Sequence, residues 1–271
     1  MDIRTEINQA LEKIKREKPL IYHITNYVTV NDCANVVLAI GASPVMADEV
    51  QEVAEMVSFC GALVLNIGTS NTRVLESMIV AGRAANAKNI PVILDPVGIG
   101  ATAFRFKSVE KLMQNVKFSV IRGNMAEIKT IAGLEAKSAG VDSLEDEKES
   151  PKIAQALAKH LGCVVAITGQ IDSISDGERT YLLSNGHSNL SKVTGTGCMS
   201  SSLIGSFLGA KNTPLISAIG GIWSMSMAGE MAVTQLDDIH KMGSFRILLM
   251  DEIGQLRGET FDKRGKIEQY K

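Results

Sequence analysis

The sequence predicts an α/β protein in which a mostly parallel, covered sheet is layered between helices, and three observations predict it. Short runs apolar on both faces stand at residues 20–24, 62–67, 91–94, 118–121 and 163–167, as strands buried on both sides require. Helical stretches at 72–88, 108–115 and 151–161 alternate with them. No internal repeat and no linker divides the 271 residues, and 45% hydrophobic content suffices for a large core, so residues 1–271 are expected to form a single domain.

The elements carry their own signals. Ile3, Ile7, Leu11 and Ile14 lie on one face of an amphipathic helix, with Glu12, Lys13, Lys15 and Arg16 opposite and Pro19 beyond its end. A helix over 31–40 is closed by Gly41, and another over 48–60 starts at an acidic N-cap, Asp48, and stops at Gly61. Two polar-alternating runs within 171–184 flank Asp176-Gly177, which predicts a hairpin and an antiparallel flap after the parallel core. From Gly197 onward the pattern is almost entirely helical. Its most apolar tract, 215–233, is interrupted by Gly220, Gly221, Gly229 and Glu230 and reads as a buried helix, not a membrane span. The acid-rich residues 135–149 read as a surface loop, and the charged tail 257–271 is expected to fray.

Composition narrows the function classes. With 28 basic and 30 acidic residues the net charge is −2, so neither nucleic acid nor an anionic membrane is indicated as a partner, and a small substrate is expected. Cys33, Cys60, Cys163 and Cys198 form no CxxC pair, which argues against a zinc site and a disulfide framework. The N-terminus carries acids and no apolar signal region, so a reduced, cytoplasmic protein is expected. His23, His160, His187 and His240 show no metal-ligand or triad spacing.

The chemistry concentrates in glycine-rich turns. Val193-Thr194-Gly195-Thr196-Gly197-Cys198-Met199 opens directly into a small-residue helix, whose N-terminal N–H groups and dipole can hold an anion. Cys198 falls in the first turn, where the positive dipole end favours a thiolate; the alternative is a buried structural cysteine. Polar residues and glycines also follow the strands: Thr25-Asn26-Tyr27, Gly68-Thr69-Ser70, Asp95-Pro96-Val97-Gly98-Ile99-Gly100, Arg122-Gly123-Asn124 and Thr168-Gly169. In a parallel sheet these loops converge on one edge, where ligands bind. Asp95 and Glu127 are the acids best placed for magnesium, against salt bridging and dipole stabilisation respectively. Arg122 suits phosphate, against a buried ion pair. Gly98-x-Gly100-x-x-Ala103 lacks the acid a dinucleotide site needs, and no GxxxxGK[ST] is present.

Asn124-x-x-Glu127 after a strand, with Gly195-Thr196-Gly197-Cys198 opening a later helix, resembles the ribokinase-like superfamily of small-molecule kinases. His23-Ile24-Thr25-Asn26-Tyr27-Val28, Ser43-Pro44-Val45-Met46, Asn66-Ile67-Gly68-Thr69 and Asp95 through Thr102 resemble, more narrowly, the hydroxyethylthiazole kinase family. The resemblance implies a layered α/β/α ribokinase-like fold and ATP-dependent phosphorylation of 4-methyl-5-(2-hydroxyethyl)thiazole, a thiamine salvage step, with Mg²⁺. It implies that Arg122 and Thr168 bind ATP phosphates, with the backbone at Gly197 facing the moving phosphoryl group. Met46 and Gly195 would contact the thiazole, Asn26 and Gly68 would line its pocket, and Asp95 and Glu127 would organise the metal. It further implies a homotrimer with active sites between subunits. Cys198 departs from the wider superfamily, where many relatives carry Asp as the base, and is expected to orient and deprotonate the alcohol. A dehydratase of hydrated nicotinamide nucleotides, a kinase of another vitamin alcohol and a nucleotide-binding module without turnover are the alternatives.

Overall fold

In the computed structural model, which describes residues 2–139 and 149–271, the apolar runs line up as parallel strands because neither of their faces can be left in water. These are β1 (Leu20–Ile24), β2 (Ser43–Met46), β3 (Ala62–Asn66), β4 (Val92–Asp95), β5 (Val120–Asn124) and β6 (Val164–Thr168). β7 (Asp172–Ser175), β8 (Thr180–Leu183) and β9 (Ile267–Tyr270) continue the same sheet antiparallel. The order is β2-β1-β3-β4-β5-β6-β7-β8-β9. The chain leaves β1 toward β2 on one side and returns to β3 on the other, so the topological switch lies between β1 and β3, where a crevice opens beyond the strand ends.

Helices cover both faces. In chain order they are α1 (Ile3–Glu17), α2 (Val30–Ile40), α3 (Val53–Met56), α4 (Thr72–Ala87), α5 (Ala103–Asn115), α6 (Met125–Ala139), α7 (Ser150–Leu161), α8 (Thr196–Gly209), α9 (Pro214–Thr234), α10 (Met242–Gln255) and α11 (Gly258–Arg264). α1, α2 and α8–α11 share one core with Ile21, Val64 and Ile93; α3–α7 share the other with Tyr22, Leu63 and Leu94. Alternate residues of each strand thus feed opposite layers. This is the expected layered α/β/α architecture.

Several elements differ from expectation. The helix expected over 48–60 begins only at Val53. The Asp48 carboxylate instead receives Arg73 at 2.9 Å and its carbonyl receives the Ser77 hydroxyl at 2.7 Å, which holds this stretch extended along α4. Ser43-Pro44-Val45-Met46 is a strand despite its proline, at the sheet edge where a missing N–H costs least. The 171–184 hairpin is no flap: β7 is buried along its length and pairs with β6 inside the sheet. Of the loop expected over 135–149, residues 135–139 continue α6, and 140–148 lie outside the described residues. The 257–271 tail does not fray but forms α11 and β9. Phe261 is fully buried against Trp223, ring centroids 5.1 Å apart, and this apolar anchor outweighs the charged surroundings. Among the described residues no helix is long and apolar enough to cross a membrane.

His23, in β1, is buried: Nδ1 donates to the Ile21 carbonyl at 3.2 Å, leaving Nε2 to accept from the Ser202 hydroxyl at 3.0 Å. Burial pulls its pKa down to about 4. The unfolded chain, with a histidine pKa of about 6.5, then takes up a proton between those values that the folded protein refuses, so stability falls as pH drops through this window. Urea unfolding should show wild type losing about 2–3 kcal/mol more than His23→Gln between pH 7 and pH 4.5; equal losses would exclude the buried neutral imidazole. Phe261→Ala should cost about 3 kcal/mol by the same measurement, whereas a frayed tail would cost almost nothing.

Candidate active site

Two glycines bring the N-terminus of α8 to the sheet edge. Gly195 adopts φ +88°, and a Cβ there would lie 2.7 Å from Thr29 Cγ2. A Cβ at Gly197 would lie 2.6 Å from Arg122 Nη1, so the first turn of α8 rests on the guanidinium. Its first N–H groups, unpaired within the helix, gather there with the positive dipole end.

Below this turn lies a chain of buried amides. The Asn26 oxygen accepts from the Thr29 N–H at 3.0 Å and hydroxyl at 3.1 Å, which turns its NH₂ toward Asn66 Oδ1 at 3.0 Å and Cys198 Sγ at 3.4 Å. Asn66 and Asp95 end neighbouring strands in direct register. Asn66 donates to Asp95 Oδ2 at 2.9 Å and to Cys198 Sγ at 3.2 Å, and Ser201 donates to the same Oδ2 at 2.8 Å. Asp95 Oδ1 is buried without a hydrogen-bond partner, 3.9 Å from Arg122 Nη1. Burial raises the Asp95 pKa to about 6, against the lowering by Arg122, Ser201 and Asn66. Burial, then the Asp95 charge, also raises the Cys198 thiol, which Thr29, Asn66 and Asn26 only partly offset. Cys198 stands in the first turn of α8, where burial and Asp95 oppose the thiolate that the helix terminus favours.

Arg122 lies within β5, and Nη2 donates to Thr168 Oγ1 at 2.6 Å. Its Nε is buried without a partner. Asn124 and Glu127 cap α6 reciprocally: the Asn124 N–H donates to Glu127 Oε2 at 2.8 Å and the Glu127 N–H to Asn124 Oδ1 at 2.9 Å. The Gly98 N–H donates to the other Glu127 oxygen at 2.9 Å. The Glu127 carboxylate thus ties together the loops after β4 and β5.

Two cavities meet here. The smaller, about 370 Å³, is lined by Asn26, Gly68, Asp95, Arg122, Glu127, Gly195, Gly197 and Cys198, among others. The larger, about 610 Å³, takes in Thr168, Asp172, the 185–188 loop and Ser226, and shares Arg122 and Gly197 with the first. Met46 lines neither; it sits half-buried on the edge strand β2. Among the described residues no three His, Cys, Asp or Glu side chains cluster to hold a metal by themselves.

Sequence reading overlooked three contributors. Asn66 was hidden in an apolar run taken to extend to Ile67, although a polar residue so near a strand end was itself a signal. Asp172, buried in the larger cavity, has its pKa raised to about 7 by burial, while the Gly169 N–H at 3.0 Å, Arg122 and Ser226 lower it. Arg105 reaches back to the Val97 and Gly68 carbonyls at 2.6 and 2.5 Å and clamps two strand-end loops. Apart from the Gly169 N–H, the partners of Asp172 and Arg105 lie eight or more residues away in sequence.

Residues 11–259 match the hydroxyethylthiazole kinase family. A protein of Alkaliphilus oremlandii (strain OhILAs) named hydroxyethylthiazole kinase is 52% identical over 270 residues, covering 99% of this chain and 100% of that protein. The structure of a hydroxyethylthiazole kinase protein from Pyrococcus horikoshii OT3 superposes with a TM-score of 0.90 at 35% identity, covering 98% of this chain and 99% of that one. A Staphylococcus aureus pyridoxal kinase solved with ADP shares the fold at a TM-score of 0.59 and 15% identity, covering 79% and 88% of the two chains. The chain belongs to the hydroxyethylthiazole kinase family.

Proposed function

We propose that this protein transfers the γ-phosphoryl group of ATP to the hydroxyl of 4-methyl-5-(2-hydroxyethyl)thiazole, in thiamine salvage. The observation that carries the reading is the meeting of two cavities at Arg122 and Gly197, with Cys198 in the smaller one only. The residues expected to hold ATP, Arg122, Thr168 and Gly197, all line the larger cavity. Asn26, Gly68 and Gly195, expected at the thiazole, line the smaller.

The chemistry follows from positioning and charge. Arg122, with the N–H groups opening α8, faces the phosphates and stabilises the charge on the moving group, while Thr168 braces the guanidinium. The alcohol oxygen forms its bond to phosphorus as the bond to the ADP oxygen breaks. The raised thiol supports a Cys198 that orients the alcohol more than one that removes the proton early. Such transfers pass through a loose transition state in which the alcohol proton leaves late, so a weak base suffices.

The donor set fits magnesium. Asp95 lines the smaller cavity and its buried Oδ1 has no partner, and Glu127 keeps lone pairs beyond its two backbone bonds. Two carboxylates acting with substrate phosphates and water are an ordinary magnesium environment. Bound Mg²⁺ supplies neutralisation of the phosphate charge.

The same reading includes a homotrimer with sites between subunits. Met46 on β2, Leu38 on α2 and Ile247 on α10 belong to elements that pack together, and Leu38 and Ile247 are 57% and 66% exposed. Tyr27 and Val28, beside the smaller cavity, are 78% and 57% exposed. Exposed apolar side chains of this kind suit contact with another subunit, which would bring Met46 to a neighbour's thiazole. The reading also places the enzyme in the cytoplasm.

Incubation with ATP, Mg²⁺ and the thiazole alcohol should yield the phosphorylated thiazole, with pyrimidine and pyridoxal alcohols turned over more slowly and hydrated nicotinamide nucleotide unchanged. Absence of the thiazole product sinks the reading, and light scattering checks the trimer. Cys198→Ala should lower kcat about tenfold and Cys198→Asp preserve or raise it; full kcat in the alanine variant would reduce the residue to a pocket wall. Arg122→Lys should lower kcat/KM for ATP about 100-fold, since a point charge does not reproduce the guanidinium fork against Thr168 and the helix terminus.

A further inference from the structure

We propose that Asn66 is the positioning residue of the transfer site, its one amide holding the Asp95 carboxylate and the Cys198 sulfur in a fixed relation. The inference rests on the kinase reading for its catalytic consequence.

The orientation of the amide is decided at both ends. The Gly68 N–H, which can only donate, points at Asn66 Oδ1 at 2.9 Å, and the Asn26 NH₂ reaches the same oxygen at 3.0 Å. The Asn66 nitrogen must then face Asp95 and Cys198, both of which accept. Asn66 is 2% exposed, so no water substitutes for these bonds. With Ser201 it occupies Asp95 Oδ2, which leaves Oδ1 unpartnered. Its second N–H and that of Asn26 both donate to the sulfur, which fixes where the thiol stands against an incoming hydroxyl.

The register supplies the reason that asparagine serves here. Asn66 faces Asp95 across β3 and β4, and Cys198 comes down onto both from α8. A residue at this point must donate twice on one side and accept twice on the other, in the length of a short side chain. An ionised aspartate matches the shape but donates to neither partner, and alanine leaves the Gly68 N–H without its acceptor and takes one bond each from Asn26, Asp95 and Cys198.

Asn66→Asp tests this directly, because it retains acceptance from Gly68 and Asn26 and removes donation to Asp95 and Cys198. The expected result is a kcat about 100-fold lower, with KM for ATP and for the thiazole alcohol within about threefold, and a lowered Tm because a second buried carboxyl then lies against Asp95. The same substitution in a Cys198→Ala background should cost at least about tenfold less than in wild type. A kcat within about threefold of wild type, or equal losses in both backgrounds, overturns the proposal. Asn66→Ala gives the same readouts should the aspartate variant fail to fold. Alkylation of Cys198 by iodoacetamide at fixed pH, followed by mass spectrometry with Cys163 as reference, requires no turnover. A drop of about tenfold in Asn66→Asp supports the positioning role, whereas an unchanged or faster rate, as a loosened loop would give, overturns it. If the wild type makes no phosphorylated thiazole while alkylation still drops, the kinase reading fails and the positioning role stands.

Discussion

One buried negative charge organises this site. Asp95 ends β4 with no solvent exposure, where an unpaired carboxylate would be prohibitively costly. The surrounding groups answer that cost: Asn66 and Ser201 donate to one oxygen, and the Arg122 guanidinium stands 3.9 Å from the other. Arg122 in turn must be held, which Thr168 does from β6 and Gly197 permits by carrying no side chain. Four neighbouring elements are thereby locked to one carboxylate. The residue that draws phosphates and the residue suited to a metal are partners before either ligand arrives, so little reorganisation is needed on binding.

The helix that delivers Cys198 shows how polar groups survive in so dry a place. α8 and α9 are buried around almost their whole circumference and yet carry many serines. Ser200, Ser206 and Ser224 return their hydroxyls to carbonyls one turn back, at 2.9, 3.0 and 2.6 Å. Small, internally satisfied side chains let both helices pack closely without stranded donors. Ser201 is the exception that matters, because its hydroxyl leaves the helix for Asp95.

Much of this was legible because local pattern and tertiary environment agree. Strands buried on both faces must be apolar throughout, so β1, β3, β4, β5 and β6 announced themselves, and the residues interrupting them at their carboxyl ends marked the crevice. The unread parts owe their structure to distant partners. The expected helix at 48–60 yielded to Arg73 and Ser77, and the charged tail joined the sheet because Phe261 found Trp223. Asn66 concealed its role because its four partners lie at Asn26, Gly68, Asp95 and Cys198, three of them remote in sequence.

The sequence by itself determined the layered α/β class, the edge at which ligands bind, and the family to which the chain belongs, because periodicity and turn chemistry are local and the motifs lie within short segments. It also placed Cys198 in a helix's first turn. Only the tertiary structure decided how that thiol is held. Its ionisation depends on burial and on a carboxylate more than a hundred residues away, and the amide joining the two comes from a third element, β3. Desolvation and through-space charge act between neighbours that folding alone brings together.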